Sequence, residues 1–271
     1  MSPPRGLAPS GLVLADKEVG PSSFAVVSRI RAATGAKAGH AGTLDPFASG
    51  LLLVLVGSAT RLARYLVGLD KRYVTDVDLR WRTETGDPEG EELGREEPPQ
   101  RAELERRLDA LRGQVELPIP AASAVKIGGQ RAYALARRGI AVEMPLRRSV
   151  VHSLELDAYD GQVARLDLRV SSGTYVRAIA EALGGHCRTL RRTEVGPFAV
   201  ASADETKIVP SGEALSFLPA RKLSGDEVRA VRSGRPIGGR EEGPVRLLAG
   251  SGLVAVGRGD GRDIRPETVL P

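Results

Sequence analysis

Cysteine is nearly absent. Cys187 is the only one among 271 residues, so no internal disulfide can form and no cysteine-based zinc site can be built from the chain alone. Aromatic residues are scarce too, at four Phe, five Tyr and one Trp, too few for the stacking platform on which single-strand binders lay successive bases. The longest apolar run, LLLVLV from Leu51 to Val56, falls far short of the ~18 residues that span a bilayer. MSPPRGLAPSG at the start has no apolar signal core. Glycine and proline, 32 and 18 residues, stay below the ~25–30% that marks a low-complexity chain. The histidines, His40, His152 and His186, are scattered, and His186 next to Cys187 is poorly placed to share a metal. No GxxxxGK[ST] loop, no GxGxxG after a strand and no GxSxG is present, so nucleotide hydrolysis, dinucleotide redox and the serine-hydrolase elbow lose their usual scaffolds. A soluble, cytoplasmic chain is expected, without a metal and with chemistry carried by ordinary acid, base and nucleophile side chains.

What is present is ordinary globular material, 41% hydrophobic and 27% charged. Lys and Arg outnumber Asp and Glu by 39 to 34, and the pI is near 9.6. That mild excess permits a polyanionic partner without demanding one.

Periodicity predicts the elements. LVLADK is a strand, and Ser22 or Ser23 caps a helix whose buried stripe is Val26, Val27, Ile30 and Ala33. TGAKAGHAGTLDPFASG is a loop, and LLLVLV a strand buried on both faces. Ser58 caps a helix through Leu66. Tyr73, Thr75, Val77, Leu79 and Trp81 alternate on the inner face of a half-buried strand, as do Ala164, Leu166, Leu168 and Val170 in VARLDLRV. Residues 83–99 are acidic and Gly/Pro-rich, hence an exposed loop, and a charged amphipathic helix follows from Arg101. SSGTY leads into a helix that ends near Gly184. Past a boundary between about Ile208 and Leu218, Ser224 caps a short helix, and VRLLA and LVAVG form a tight hairpin. The pattern is α+β without regular β-α alternation. It divides into a larger domain over residues 1–210, with a basic insertion at about 117–147, and a small β-rich module over 215–271.

One loop draws the chemistry. GHAGTLDPFASG sets a single carboxylate, Asp45, among small residues directly before the most apolar strand. Asp before Pro is also a common turn starter, and an Asx turn would account for it structurally. The glycines, however, let a ligand approach the backbone closely, and a rigid strand is a sound base for a preorganised group.

The segment GHAGTLDPFASGLLLVLVG resembles the signature of the TruB family of pseudouridine synthases. LADKEVGPSS, LDKRYV, SAVKIGGQRAYALARRGI, SSGTYVRAIAEALG and LRRTEVGPF resemble further ordered motifs of the same family. Glu18, where the family usually has proline, is a departure affecting turn stiffness. The resemblance implies a mixed, largely antiparallel central sheet of the pseudouridine synthase type with flanking helices, and looser motifs in the C-terminal module resemble a PUA-type RNA-binding domain. It implies isomerisation of one uridine in the T loop of tRNA, as in a pseudouridine-55 synthase, with no cofactor and no metal. The N1–C1′ bond breaks, the uracil rotates, and the ring rejoins through C5. By the same resemblance Asp45 is the essential carboxylate, Arg177 its cationic partner, and Tyr73 stacks on the uracil. His40 helps the base leave its stack and Leu190 lines the uracil pocket. Lys17, Lys126 and Arg131, with Arg137 and Arg138 in the same basic insertion, contact phosphates. An ionised carboxylate is needed, so the cation is expected to hold the Asp45 pKa low. The expected partner is tRNA, held at the T arm and, by the C-terminal module, at the acceptor end. The expected form is a monomer with no obligatory protein partner and no membrane. Two further readings stay open: the catalytic subunit of a guide-RNA-directed ribonucleoprotein, which typically lacks the basic insertion, and a non-catalytic tRNA-binding or folding protein.

Overall fold

The computed structural model describes residues 9–95, 97–123, 125–132 and 143–271. Among the described residues, ten strands form the main sheet. The chain enters it through β1 (Gly11–Lys17), α1 (Ser23–Thr34), β2 (Ala38–His40) and β3 (Ser49–Val56). The Ser22 side chain caps α1 by accepting from the Ala25 amide. β3 shows what its unbroken apolar run is for. Leu51, Leu53 and Leu55 join one core with Leu12 and Leu14, while Leu52, Val54 and Val56 face the other way, onto Val26, Val27 and Ile30 of α1. Alternating side chains thus feed two cores on opposite faces of one strand.

After a 3-10 turn and α2 (Ala63–Val67) come β4 (Lys71–Asp78), β5 (Trp81–Thr83) and β6 (Glu92–Arg95). Then follow α3 (Arg101–Ala110), β7 (Gly113–Pro118), β8 (Lys126–Ile127) and β9 (Gln130–Arg131). The sheet is completed by β10 (Leu146–Tyr159), β11 (Val163–Val170), α4 (Val176–Leu183), β12 (His186–Val195), β13 (Phe198–Ala199) and β14 (Asp204–Val209). Tyr73, Val77, Ala164, Leu166, Leu168 and Val170 face inward as their alternation predicts, against Leu104 and Leu108 of α3 and Ile179 and Leu183 of α4. The order is β14-β1-β3-β12-β4-β11-β10-β7, with β2 beside β3 and β13 beside β12, and every pairing along it is antiparallel except that of β12 with β3. The insertion springs from the sheet edge, where Leu146 of β10 faces Pro118 of β7; Arg137 and Arg138 lie outside the described residues.

Five local expectations change, the first in α1, where Ala33 is exposed and stays outside the buried stripe. The glycine-rich segment before Asp45 contains β2, paired with β3. Ser58 caps nothing; its hydroxyl meets that of Ser10 at 2.8 Å and a 3-10 turn over Gly57–Leu62 replaces the first part of the helix. Trp81 leaves the β4 alternation to begin a hairpin with β6, and the expected exposed loop beyond it buries Thr83 and Asp87.

The C-terminal part adds α5 (Ser211–Ala214), β15 (Ala220–Lys222), α6 (Gly225–Arg232), β16 (Ile237–Gly238), β17 (Glu242–Ala249), β18 (Gly252–Asp260) and β19 (Asp263–Val269). Ser224 and Glu227 form a capping box at the start of α6. The second sheet runs β15-β17-β18-β19-β16 over its own core of Val231, Val245, Leu247 and Ile264. This part shares a core with the main sheet: Leu215, Val256 and Leu270 join one cluster with Leu12, Leu53 and Leu55. Arg61 also donates to the Val269 carbonyl. Among the described residues no helix is long and apolar enough to cross a membrane.

Candidate active site

Three buried side chains brace the loop that carries Asp45. The Ser23 hydroxyl accepts from the Leu44 amide at 2.8 Å and donates to the Leu44 carbonyl at 3.0 Å. Arg192, 2% exposed, closes the neck of the loop, donating to the carbonyls of Gly42 and Thr43 on one side and Leu51 on the other. Gly50 is required here: it has φ +104°, and a Cβ would stand 2.2 Å from the Arg192 carbonyl oxygen. Lys17 is the third brace. Expected on a phosphate, it is fully buried, and its ammonium donates to the carbonyls of Glu18, Pro21 and Pro46. With two donors engaged by the turn before α1 and one by the Asp45 loop, it fits no phosphate contact in this conformation.

Arg177 meets the acid from the opposite side. It is the second residue of α4, where a cation opposes the helix dipole, and two carboxylates offset that. Its Nε lies 3.0 Å from Asp45 Oδ2 and its Nη1 3.3 Å from Asp87 Oδ2. Nη1 also donates to the Thr85 carbonyl and Nη2 to that of Ala122. One planar guanidinium thereby orients four acceptors from three segments, which a point-charge ammonium could not do. The expected low pKa of Asp45 does not follow. Burial raises it above the ordinary carboxylate value; Arg177 and Lys17 pull it back, and Asp87 pushes it further up.

Asp45, Tyr73, Arg177 and Leu190 all line one cavity of about 210 Å³, joined on its wall by Tyr175 and Lys71. At the ~30 Å³ share of a water molecule, there is room for a flat ring. Lys71 donates to the carbonyls of Val67 and Leu69 and to Ser172, and burial lowers its pKa to about 8. His40, at the end of β2, is not on that wall. Its Nδ1 is buried without a hydrogen-bond partner, and burial beside Arg192 lowers its pKa. Lys126 and Arg131 are backbone register partners in the β8–β9 hairpin. The Cys187 thiol is buried and pushed up to about 12, so it is no nucleophile. Among the described residues no three His, Cys, Asp or Glu gather as metal ligands.

Sequence reasoning missed Asp87, Arg192 and the bracing role of Ser23. One signal could have found Asp87: TGDP repeats, after a strand, the small-residue, Asp-Pro composition of GTLDP. Nothing local marks Arg192, whose importance lies in which carbonyls it reaches.

Residues 30–176 match the family model described as TruB family pseudouridylate synthase (N terminal domain). The tRNA pseudouridine synthase B of Thermobifida fusca (strain YX) is 41% identical, covering 90% of this chain and 92% of its own. That of Leifsonia xyli subsp. xyli is 39% identical over 98% of each, and that of Azoarcus sp. (strain BH72) 34% identical over 96% and 94%. A chain of an H/ACA RNP bound to a substrate RNA containing 2′-deoxyuridine superposes with a TM-score of 0.72 at 22% identity, covering 96% of this chain and 85% of that one. The likeness there is one of fold.

Proposed function

The chain belongs to the TruB family of pseudouridylate synthases, and we propose that it isomerises a uridine in the T loop of tRNA to pseudouridine, with Asp45 as the essential carboxylate. The observation that carries the assignment is the cavity itself: a carboxylate braced on three sides, a buried arginine on one of its oxygens, and a tyrosine and a leucine on the same wall.

The reaction detaches uracil at N1–C1′ and rejoins it at C5–C1′, with the C5 proton leaving and N1 gaining one. Asp45 acts in ionised form, either attacking C1′ or removing a sugar proton, and both routes need the same anion. Arg177 keeps one carboxylate oxygen fixed and leaves the other for the sugar. Tyr73 offers its ring face to the detached base and Leu190 closes the pocket. His40, with a partnerless ring nitrogen near the loop, assists the extrusion of a base that folded RNA otherwise keeps stacked. The basic insertion, including Lys126 and Arg131, and the module over residues 215–271, PUA-like in pattern, grip the T arm and the acceptor end. Residues 1–210 form the catalytic domain, and the protein works as a cytoplasmic monomer without an obligatory protein partner.

The test is tritium release from tRNA carrying C5-labelled uridine, with purified protein and no added RNA. Release from the T loop is expected. No release would overturn the proposal, and release only with a guide RNA would assign the chain to the ribonucleoprotein class.

A further inference from the structure

β12 does not run straight past the cavity. Its register against β4 slips between Cys187 and Thr189, and again between Arg192 and Glu194. Each slip leaves one residue, Arg188 or Thr193, without an opposite number, and such bulges re-aim side chains. In a regular strand Cys187 and Leu190, three residues apart, would point to opposite faces. With the bulge between them both are buried, and Leu190 reaches the cavity wall. The residue turned out is Arg188. It is exposed, and among the described residues it has no hydrogen-bond or ion-pair partner.

Arg188 and Thr193 line a second hollow, a groove of about 660 Å³. Leu190 belongs to its wall and to that of the cavity, so the two meet at one side chain. Phe47, two residues past Asp45, and Pro88, next to Asp87, are on the groove wall as well. Of its three arginines, Arg191 is held by Asp16 at 2.7 Å and Arg165 lies 3.9 Å from Asp76. Asp76 also accepts from the Thr189 hydroxyl at 3.0 Å. Arg188 is therefore the unneutralised charge in the groove. Val19, on the same wall, leaves 65% of its surface bare. A free guanidinium together with a bare apolar lip suits a ligand that alternates anions with flat rings, as a single strand of RNA does.

We propose that this groove holds the RNA strand flanking the nucleotide in the cavity, with Arg188 on a phosphate and an adjacent base against Val19 and Pro88. The inference rests on the assignment of RNA as substrate. Arg188→Gln and Val19→Ser change exposed side chains outside the catalytic cavity. Arg106→Gln, on α3 and away from the groove, controls for loss of one positive charge. The dissociation constant for unmodified tRNA would be measured across a salt series, beside single-turnover tritium release at saturating tRNA.

Arg188→Gln is expected to weaken binding several-fold and to lower the slope of log affinity against log salt by roughly 0.7–0.9, the value of one phosphate contact. Val19→Ser should weaken binding with the slope unchanged, and both should release tritium within a few-fold of wild type. Wild-type affinity and slope in Arg188→Gln, or an equal effect from Arg106→Gln, would overturn the inference; a protein occupant of the groove would give that same unchanged affinity. If the substrate assignment itself were wrong, the wild-type protein would release no tritium, a distinct failure.

Discussion

Arg177 Nε stands 3.0 Å from Asp45 Oδ2, yet the arginine side chain is 3% exposed and the aspartate 35%. The cation is locked inside while the acid looks out into the cavity. A guanidinium so placed cannot swing away with solvent, and the free carboxylate oxygen remains available to a ligand. This one-sided burial is a form of preorganisation.

Asp45→Asn should abolish tritium release while tRNA affinity stays within a few-fold of wild type. The amide keeps the shape and removes both nucleophilicity and basicity. Because burial raises the folded-state pKa of Asp45, the folded protein binds more protons than the unfolded chain between the two pKa values. Stability from this group therefore falls as pH rises through that window and is at its lowest at neutral pH. The variant is expected to melt no lower than wild type at pH 7; turnover by a preparation free of wild-type enzyme would exclude the assigned role.

Arg177→Lys should lower the single-turnover rate by about 100-fold or more, since a misplacement near 1 Å can have that effect. A lysine nitrogen cannot serve Asp45, Asp87, Thr85 and Ala122 together. It should also destabilise the fold, because interior carbonyls of Thr85 and Ala122 lose their donors, at about 1–3 kcal/mol for each acceptor left unsatisfied. Denaturant melts and quenched-flow rates test both parts, and near wild-type values in either would contradict the shared-arginine geometry.

Asp87→Asn separates positioning from charge. Asp87 pushes the Asp45 pKa up, so its neutralisation should move the acidic limb of the pH–rate profile to lower pH. The plateau rate should fall as Arg177 loses one of its anchors. A limb that stays in place, measured over pH 4–8, would show that the two carboxylates do not communicate.

Leu270→Ala should destabilise by about 2–5 kcal/mol, the usual range for a buried leucine, although it is the penultimate residue. Leu270 is 6% exposed and shares a cluster with Leu12, Leu53 and Leu55. For the same reason, ending the chain near residue 215 should yield insoluble protein rather than a minimal active domain. A soluble, cooperatively melting truncation would refute the shared core.

Local chemistry determined much of this protein from its sequence. Alternation fixed which faces of β4 and β11 turn inward, the unbroken LLLVLV run marked the strand buried on both sides, and Ser22 and Ser224 announced their helices. The residues around Asp45 marked the loop that the cavity uses. These features depend on neighbours a few positions apart, so period and turn propensity suffice to read them. Other features were settled only when distant segments met. Asp87 lies in a stretch whose acidity and glycine content predict solvent, and it is buried because Arg177, 90 positions later in the chain, needs a second carboxylate. Lys17 has the character of a surface lysine until two carbonyls of the turn before α1 and the Pro46 carbonyl of the Asp45 loop surround it. The direction of the Asp45 pKa required weighing burial against Arg177, and burial exists only in the folded chain. The bulge that frees Arg188 likewise arises from how β12 must fit β4. Desolvation and long-range pairing are properties of the assembled protein, and no local pattern carries them.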